Sequence, residues 1–174
     1  MSKKALVTGG AGFIGSNLVD QLIADGYEVA IIDNESSTVN EEFYWNNKAE
    51  KHLINITDQR ECSKVFSSFK PDYVFHLAAH SRIPVAIKNP IESCDVNVVG
   101  TCNMLQQSRE HGVKRFMFSS TSSVYGLANV CPLKEDMPRD CLNPYSVSKA
   151  AAEELCKMYY NLFDLETVMK LERH

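Results

Sequence analysis

Residues Lys3 to Leu22 read "KKALVTGGAGFIGSNLVDQL", with glycines at positions 9, 10, 12 and 15. The apolar run Ala5, Leu6 and Val7 predicts a strand and the pattern from Phe13 onward a helix, so the glycines fall in a tight strand-to-helix turn. Such a turn directs backbone N–H groups outward from a helix N-terminus, where the positive end of the helix dipole attracts phosphate. Each glycine then serves one of three ends, which are turning tightly, admitting a pyrophosphate to bare backbone, or letting the helix pack close on the strand. The run reads either as Gly10-x-Gly12-x-x-Gly15 or as Gly9-x-x-Gly12-x-x-Gly15, and both are dinucleotide-binding patterns. A Walker-type loop is excluded, because Ser16 and Asn17 follow the last glycine where Lys and Ser or Thr would be needed.

Outward from this turn, strands and helices alternate. "YEVAIID" (Tyr27 to Asp33) is a β-branched run ending in an acid, a second parallel strand. Asp33 lies 18 positions past Gly15, close to the ~20-residue spacing at which a carboxylate meets the adenosine ribose. An acid there repels a 2′-phosphate, which favours NAD over NADP. Residues 34–50 are polar and read as a loop with at most one helical turn. "KHLINI" (Lys51 to Ile56) is a third strand, and Asp58 is the expected N-cap of a helix running to about Phe69. "DYVFHLAA" (Asp72 to Ala79) follows as a strand, then a helical pattern from Pro90 to about His111. "KRFMFSS" (Lys114 to Ser120) is a fifth strand, 121–143 a long loop, Pro144 to about Phe163 a helix, and "ETVMKL" a sixth strand. This alternation predicts a single α/β domain over residues 1–174, a doubly wound parallel sheet between helical layers (a Rossmann-type domain), with ligands at the carboxyl ends of the strands.

Bulk properties narrow the function classes. A length of 174 residues suits one core, and a net charge of −4 carries no basic excess for a nucleic-acid or membrane surface. The six cysteines are scattered without C-x-x-C pairs, which predicts idle thiols in a reducing cytoplasm. No apolar run approaches the ~18 residues of a membrane span, and the N-terminal apolar run is too short for a secretion signal. No metal-ligand cluster and no G-x-S-x-G elbow occur.

Chemistry concentrates in "SSTSSVYG" after the fifth strand and "NPYSVSKAAAEE" opening the next helix. Tyr145 and Lys149 are four apart on a helix and share one face. A phenol with pKa ~10 becomes a base near neutral pH only if its phenolate is stabilised by ~3 units, about 4 kcal/mol. A close lysine, a positive nicotinamide ring and a hydroxyl donor together could supply that. Tyr44 and Lys48 match the same spacing but sit in the polar stretch after strand two, which makes them surface or packing residues. Tyr125 has Asn129 in place of the lysine. His76, at the end of a buried strand, is expected to be a satisfied core group.

In order and spacing, "TGGAGFIG", "HLAA", "NVVGTCNML", "SSTSSVYG" and "YSVSK" resemble the extended short-chain dehydrogenase/reductases, in particular the NAD-dependent epimerase/dehydratase family acting on nucleotide sugars. The resemblance implies Gly9, Gly12 and Gly15 at the pyrophosphate and Asp33 on the adenosine ribose. It adds Phe13, Ile14, Asn34, Ile56, Asp58, Leu77, Ala78 and Ala79 to the cofactor contacts, with Asn55 standing where the family usually has Asp. It further implies Thr121 as the hydrogen-bond partner of the reacting sugar hydroxyl, Tyr145 as the base, and Lys149 as the residue that binds the nicotinamide ribose and lowers the tyrosine pKa. Arg82 and Ser122 become substrate contacts.

The family's 4,6-dehydratases resemble one another in a Thr-Asp-Glu triplet before Val-Tyr-Gly, whereas this chain has Thr121, Ser122 and Ser123. Without those carboxylates the resemblance implies C4 epimerisation of a nucleotide sugar through a 4-keto intermediate. Two further readings stay open: a non-catalytic NAD-binding module and a sugar-nucleotide reductase or dehydrogenase. The family also has a second, mostly helical half that holds the substrate nucleotide; this sequence ends at "MKLERH", so that substrate domain is expected to be absent. In relatives the helices Val96 to Arg109 and Tyr145 to Phe163 pair with a second subunit, which makes a homodimer an expectation here.

Overall fold

Period-two alternation inside the first two strands already dictates a sheet buried on both faces. In the computed structural model, which describes residues 2–37 and 42–172, Ala5 and Val7 of β1 (Lys4–Thr8) face one side and Leu6 the other. In β2 (Glu28–Asp33) Val29 and Ile31 face the first side, Ala30 and Ile32 the second. A strand apolar on both faces needs a helical layer on each. Helix α1 (Phe13–Ala24) covers the first face with Val19 and Leu22. The second is covered by α2 (Gln59–Phe69), α5 (Thr101–Glu110) and α6 (Pro144–Phe163), whose Phe66, Met104, Leu105, Ala152 and Cys156 close on Phe116 and Phe118.

The six described strands are all parallel, in the order β3-β2-β1-β4-β5-β6, with β3 at Glu50–Leu53, β4 at Tyr73–His76, β5 at Arg115–Thr121 and β6 at Thr167–Glu172. Strand order reverses between β1 and β4, and a doubly wound sheet opens its ligand crevice at such a point. The expected fold class is therefore the observed one. The predicted boundaries of α2 and α6 also hold, because their caps are local: Asp58 accepts the Glu61 N–H, and Asn143 and Ser146 form a reciprocal capping box ahead of Pro144.

Two predicted strands are shorter than expected. β3 ends at Leu53 and β4 at His76, so Asn55, Ile56 and Leu77 to Ala79 leave the sheet and turn across its carboxyl edge. The single helix expected from Pro90 is preceded by α3 (Ile83–Lys88) and divided into α4 (Pro90–Cys94), a π-helical turn (Asp95–Gly100) and α5. Pro84 starts the first of these in its N-terminal turn, and Asn89, which precedes Pro90, caps the end of one and the start of the next. The described residues between β2 and β3 contain no helix, and residues 38–41, which share that expectation, lie outside the described residues.

Candidate functional site

Along the carboxyl edge of the sheet runs a cavity of about 430 Å³, within the usual range of ligand pockets. Its first wall is the glycine turn. Gly9, with φ of +71°, lies so close to the next loop that a Cβ would stand 2.8 Å from Ala78 N, and a Cβ on Gly15 would stand 2.1 Å from the Gly9 carbonyl oxygen. Only glycine leaves that backbone bare. Gly9, Gly12 and Gly15 line the cavity together with Phe13 and Ile14, whereas Gly10 is packed on Ile31. The fold thus selects the Gly9-x-x-Gly12-x-x-Gly15 reading. This bare cradle at a helix start fits a dinucleotide pyrophosphate.

Asp33 enters from the end of β2, with its Oδ2 accepting the Ala11 N–H at 3.0 Å and its Oδ1 the Glu35 N–H at 2.8 Å. Both bonds fix the carboxylate against the glycine turn while lone pairs remain for ribose hydroxyls. Asn34, Asn55 and Ile56 also line the cavity. Asp58 does not: it lies one step past them, its carboxylate committed to the α2 cap at 3.0 Å. Asp58 thus serves the expected helix cap, and Asn55 stands in the wall.

Leu77, Ala78 and Ala79 cross the crevice after β4, tied back to β1 by Leu77 N–H to Thr8 O at 3.1 Å and Ala78 N–H to the Thr8 hydroxyl at 3.3 Å. Beneath them His76 is the satisfied core group the sequence predicts. Its Nδ1 meets the Thr8 hydroxyl at 2.6 Å and its Nε2 the Thr101 hydroxyl at 2.9 Å. Thr101 donates to Asn97 O at 2.7 Å, so it accepts from Nε2–H, and Nδ1 accepts from Thr8. Burial, reinforced by the charge of Lys149, lowers the His76 pKa to about 3. The ring is neutral and structural.

Tyr145 and Lys149 reach the same cavity from the first two turns of α6, both nearly fully buried. The Lys149 ammonium donates to the Ser119 carbonyl and stands 4.2 Å from the centre of the Phe118 ring. Tyr145 is held through its backbone as well: its carbonyl accepts from Ser148 Oγ at 2.8 Å, and Ser148 Oγ accepts from Asn97 Nδ2 at 2.9 Å. The cavity thus joins a dinucleotide cradle at one end to a phenol and an ammonium at the other.

Thr121 and Ser122 are not brought into that wall. Thr121 is fully buried and caps the 3-10 turn Ser122–Tyr125, accepting the Ser123 N–H at 3.2 Å and donating to Ser123 Oγ at 3.2 Å. Ser119 and Ser120, from the same motif, line the cavity instead. Arg82 lines it as expected, at the start of α3. Glu92 is a lining residue that the sequence does not single out; its side chain and that of His80, two residues before Arg82, face each other across the wall at 3.9 Å. The signal for Glu92 is its spacing four residues before Val96, which lines the same wall. Tyr44 is half exposed and lies outside the lining, in keeping with a surface role. Among the described residues no helix is long and apolar enough to cross a membrane, and no three His, Cys, Asp or Glu side chains converge as a metal-ligating group.

The model of one protein family, described as GDP-mannose 4,6 dehydratase, matches residues 6–171. The UDP-glucose 4-epimerase of Mycolicibacterium smegmatis is 38% identical over 166 residues, covering 94% of this chain and 53% of that protein. A putative UDP-glucose 4-epimerase of Methanocaldococcus jannaschii is 39% identical, covering 92% of this chain and 52% of its own length. Among solved structures, UDP-glucose 4-epimerase of Thermotoga maritima with UDP-glucose superposes with a TM-score of 0.90 at 36% identity, over 95% of this chain and 54% of that one. The Thermus thermophilus UDP-glucose 4-epimerase in complex with NAD gives 0.89 at 33% identity, over 95% and 53%. The chain spans about half the length of the curated relatives it matches.

Proposed function

This chain belongs to the NAD-dependent epimerase/dehydratase family, the family of the matched model, and from that premise we propose that it is the cofactor-binding portion of a nucleotide-sugar 4-epimerase acting on a UDP-hexose. One observation carries the reading: the cradle of Gly9, Gly12 and Gly15, the anchored Asp33, and the buried Tyr145 and Lys149 line a single cavity. Gly9, Gly12 and Gly15 receive the pyrophosphate of NAD, and Asp33 takes the adenosine ribose and repels the 2′-phosphate of NADP. The chemistry that NAD supplies when bound is acceptance of hydride from the sugar C4 and its return. Tyr145 takes the proton from the 4-hydroxyl and gives it back, while Lys149 holds the nicotinamide ribose and draws the phenol pKa down. Arg82 is the cation on the substrate side of the same wall.

Epimerisation is favoured over elimination by the carboxylates. The triplet Thr121, Ser122, Ser123 has none, and the acids that line the cavity are Asp33, at the far end, and Glu92. A second reading, NAD binding without turnover, is favoured by Thr121, whose hydroxyl serves the 3-10 cap. The six free cysteines support a cytoplasmic setting, and half-exposed Val99, Tyr160 and Leu162 on helical faces support a homodimer.

Calorimetric titration of the chain with NAD⁺, NADP⁺ and then UDP-hexoses tests the proposal. The expected result is NAD⁺ binding with at least tenfold preference over NADP⁺, followed by UDP-hexose binding and 4-epimerisation that Tyr145→Phe abolishes. Absence of NAD⁺ binding overturns the cofactor reading; NAD⁺ binding without a nucleotide sugar selects the module, and net production of NADH selects a dehydrogenase.

A further inference from the structure

Tyr145, Lys149 and Glu153 are spaced four apart, so α6 places a phenol, an ammonium and a carboxylate in one row. An i, i+4 Lys and Glu attract one another, and at Tyr145 the negative potential of a bare Glu153 would offset part of the positive potential of Lys149. Glu153 is nevertheless buried in this row, eight residues past Tyr145. Its two oxygens have other partners: Ser120 Oγ donates to Oε1, and the guanidinium of Arg139 donates to Oε2. Arg139 comes from the loop between β5 and α6, and its other terminal nitrogen bonds Glu154 at 2.7 Å. Burial opposes the charge on Arg139, yet its bonds and attraction to Glu154 and Glu153 outweigh that and raise its pKa.

Three titratable groups around this row are uncharged at neutral pH. His76, from β4, has its pKa lowered to about 3 by burial and by Lys149. The Cys156 thiol, one turn further along α6, is pushed up to about 12 by burial. Tyr125, after β5, is raised by burial and by the charge of Glu153. The charged groups around the row are Lys149, Glu153, Arg139, the more exposed Glu154 with its partner Lys157 at 2.9 Å, and Glu135 and Asp136, whose charges reach Tyr125 from the loop.

We propose that Arg139 is a positioning residue for the Tyr145–Lys149 pair: it neutralises Glu153, so that the field of Lys149 acts on the phenol of Tyr145 and is not cancelled by a carboxylate one turn away. The inference rests on the reading of Tyr145 as the base. Without Arg139 the buried carboxylate loses its guanidinium partner, leaving Lys149 and Lys157, each four residues from it along α6, as the cations on its row.

The test is a pH titration of the 174-residue chain with NAD⁺, read from the ¹³Cζ resonances of labelled tyrosine, with Tyr145 assigned by its absence in Tyr145→Phe. Turnover is not needed for this readout. Arg139→Met and Arg139→Gln are each expected to raise the Tyr145 midpoint by about 0.5 to 1 pH unit, the reach of a charge two helical turns away, and Arg139→Met combined with Glu153→Gln to return it to the wild-type value. Arg139→Gln keeps hydrogen bonds to Glu153 and serves if Arg139→Met does not fold. Glu153→Gln alone leaves the midpoint at or below wild type. An unmoved midpoint in either folded Arg139 variant, a double variant that stays displaced, or a rise in Glu153→Gln overturns the proposal. A wild-type Tyr145 that titrates at the ordinary tyrosine value with NAD⁺ bound sinks the base assignment instead, and the comparison among variants still reads Arg139.

Discussion

Replacing His76 by Gln changes how stability depends on pH, and the size of the change follows from the site. The imidazole is completely buried between two threonine hydroxyls and two phenylalanine rings, and its pKa falls from 6.5 to about 3. Below pH 6.5 the unfolded chain binds a proton that the folded chain refuses until about pH 3, so stability is full above 6.5 and declines as the pH falls. Integrated over that window, the loss is about 2 kcal/mol at pH 5 and about 4 kcal/mol by pH 3. Gln keeps a neutral donor and acceptor but carries no titration. It lowers stability at pH 7.5 by ~1–3 kcal/mol through imperfect bonds to Thr8 and Thr101, and its disadvantage shrinks by about 2 kcal/mol at pH 5. Urea unfolding of both proteins at half-unit steps from pH 7.5 to 5 measures this difference. A constant gap across the series would mean that His76 takes up its proton at the same pH in the folded and unfolded chain, and a gap that widens toward pH 5 that the ring is charged in the fold; either would refute the buried neutral ring.

Two further perturbations separate the cradle from its surroundings. Gly15→Ala forces a Cβ to 2.1 Å from the Gly9 carbonyl oxygen and 2.8 Å from Gly10 Cα, both backbone atoms that cannot swing aside; a loss of at least ~1–3 kcal/mol and a more than tenfold loss of NAD⁺ affinity are expected from thermal melts and calorimetry. Asp58→Ala removes only the cap on the Glu61 N–H, so it costs about 1 kcal/mol and leaves NAD⁺ affinity within twofold; a large affinity loss would return Asp58 to the binding site.

Where the determinants are local, the chain is legible without coordinates. The glycine turn, the Asp58 cap, the helix start at Pro144, the apolar runs of β1 and β2 and the four-residue spacing of Tyr145 and Lys149 are properties of adjacent residues, and each keeps its expected place in the fold. Thr121 illustrates the opposite case. Its motif position is plain, but whether its hydroxyl faces the cavity or caps the following turn depends on how the chain leaves β5.

The alternation of strands and helices, and with it the glycine turn and the acid ending the second strand, were determined by the sequence by itself, because backbone conformation and hydrophobic period act over a few residues. Only the tertiary structure decided which side chains share the crevice. Asn55 and His80 come from separate loops, Glu92 from α4 and Ser119 from β5, and the partnership of Ser120, Glu153 and Arg139 joins a strand end, a helix and a loop. Such contacts form between residues far apart in the chain, and their geometry is set by how layers pack across the sheet, which no local pattern encodes.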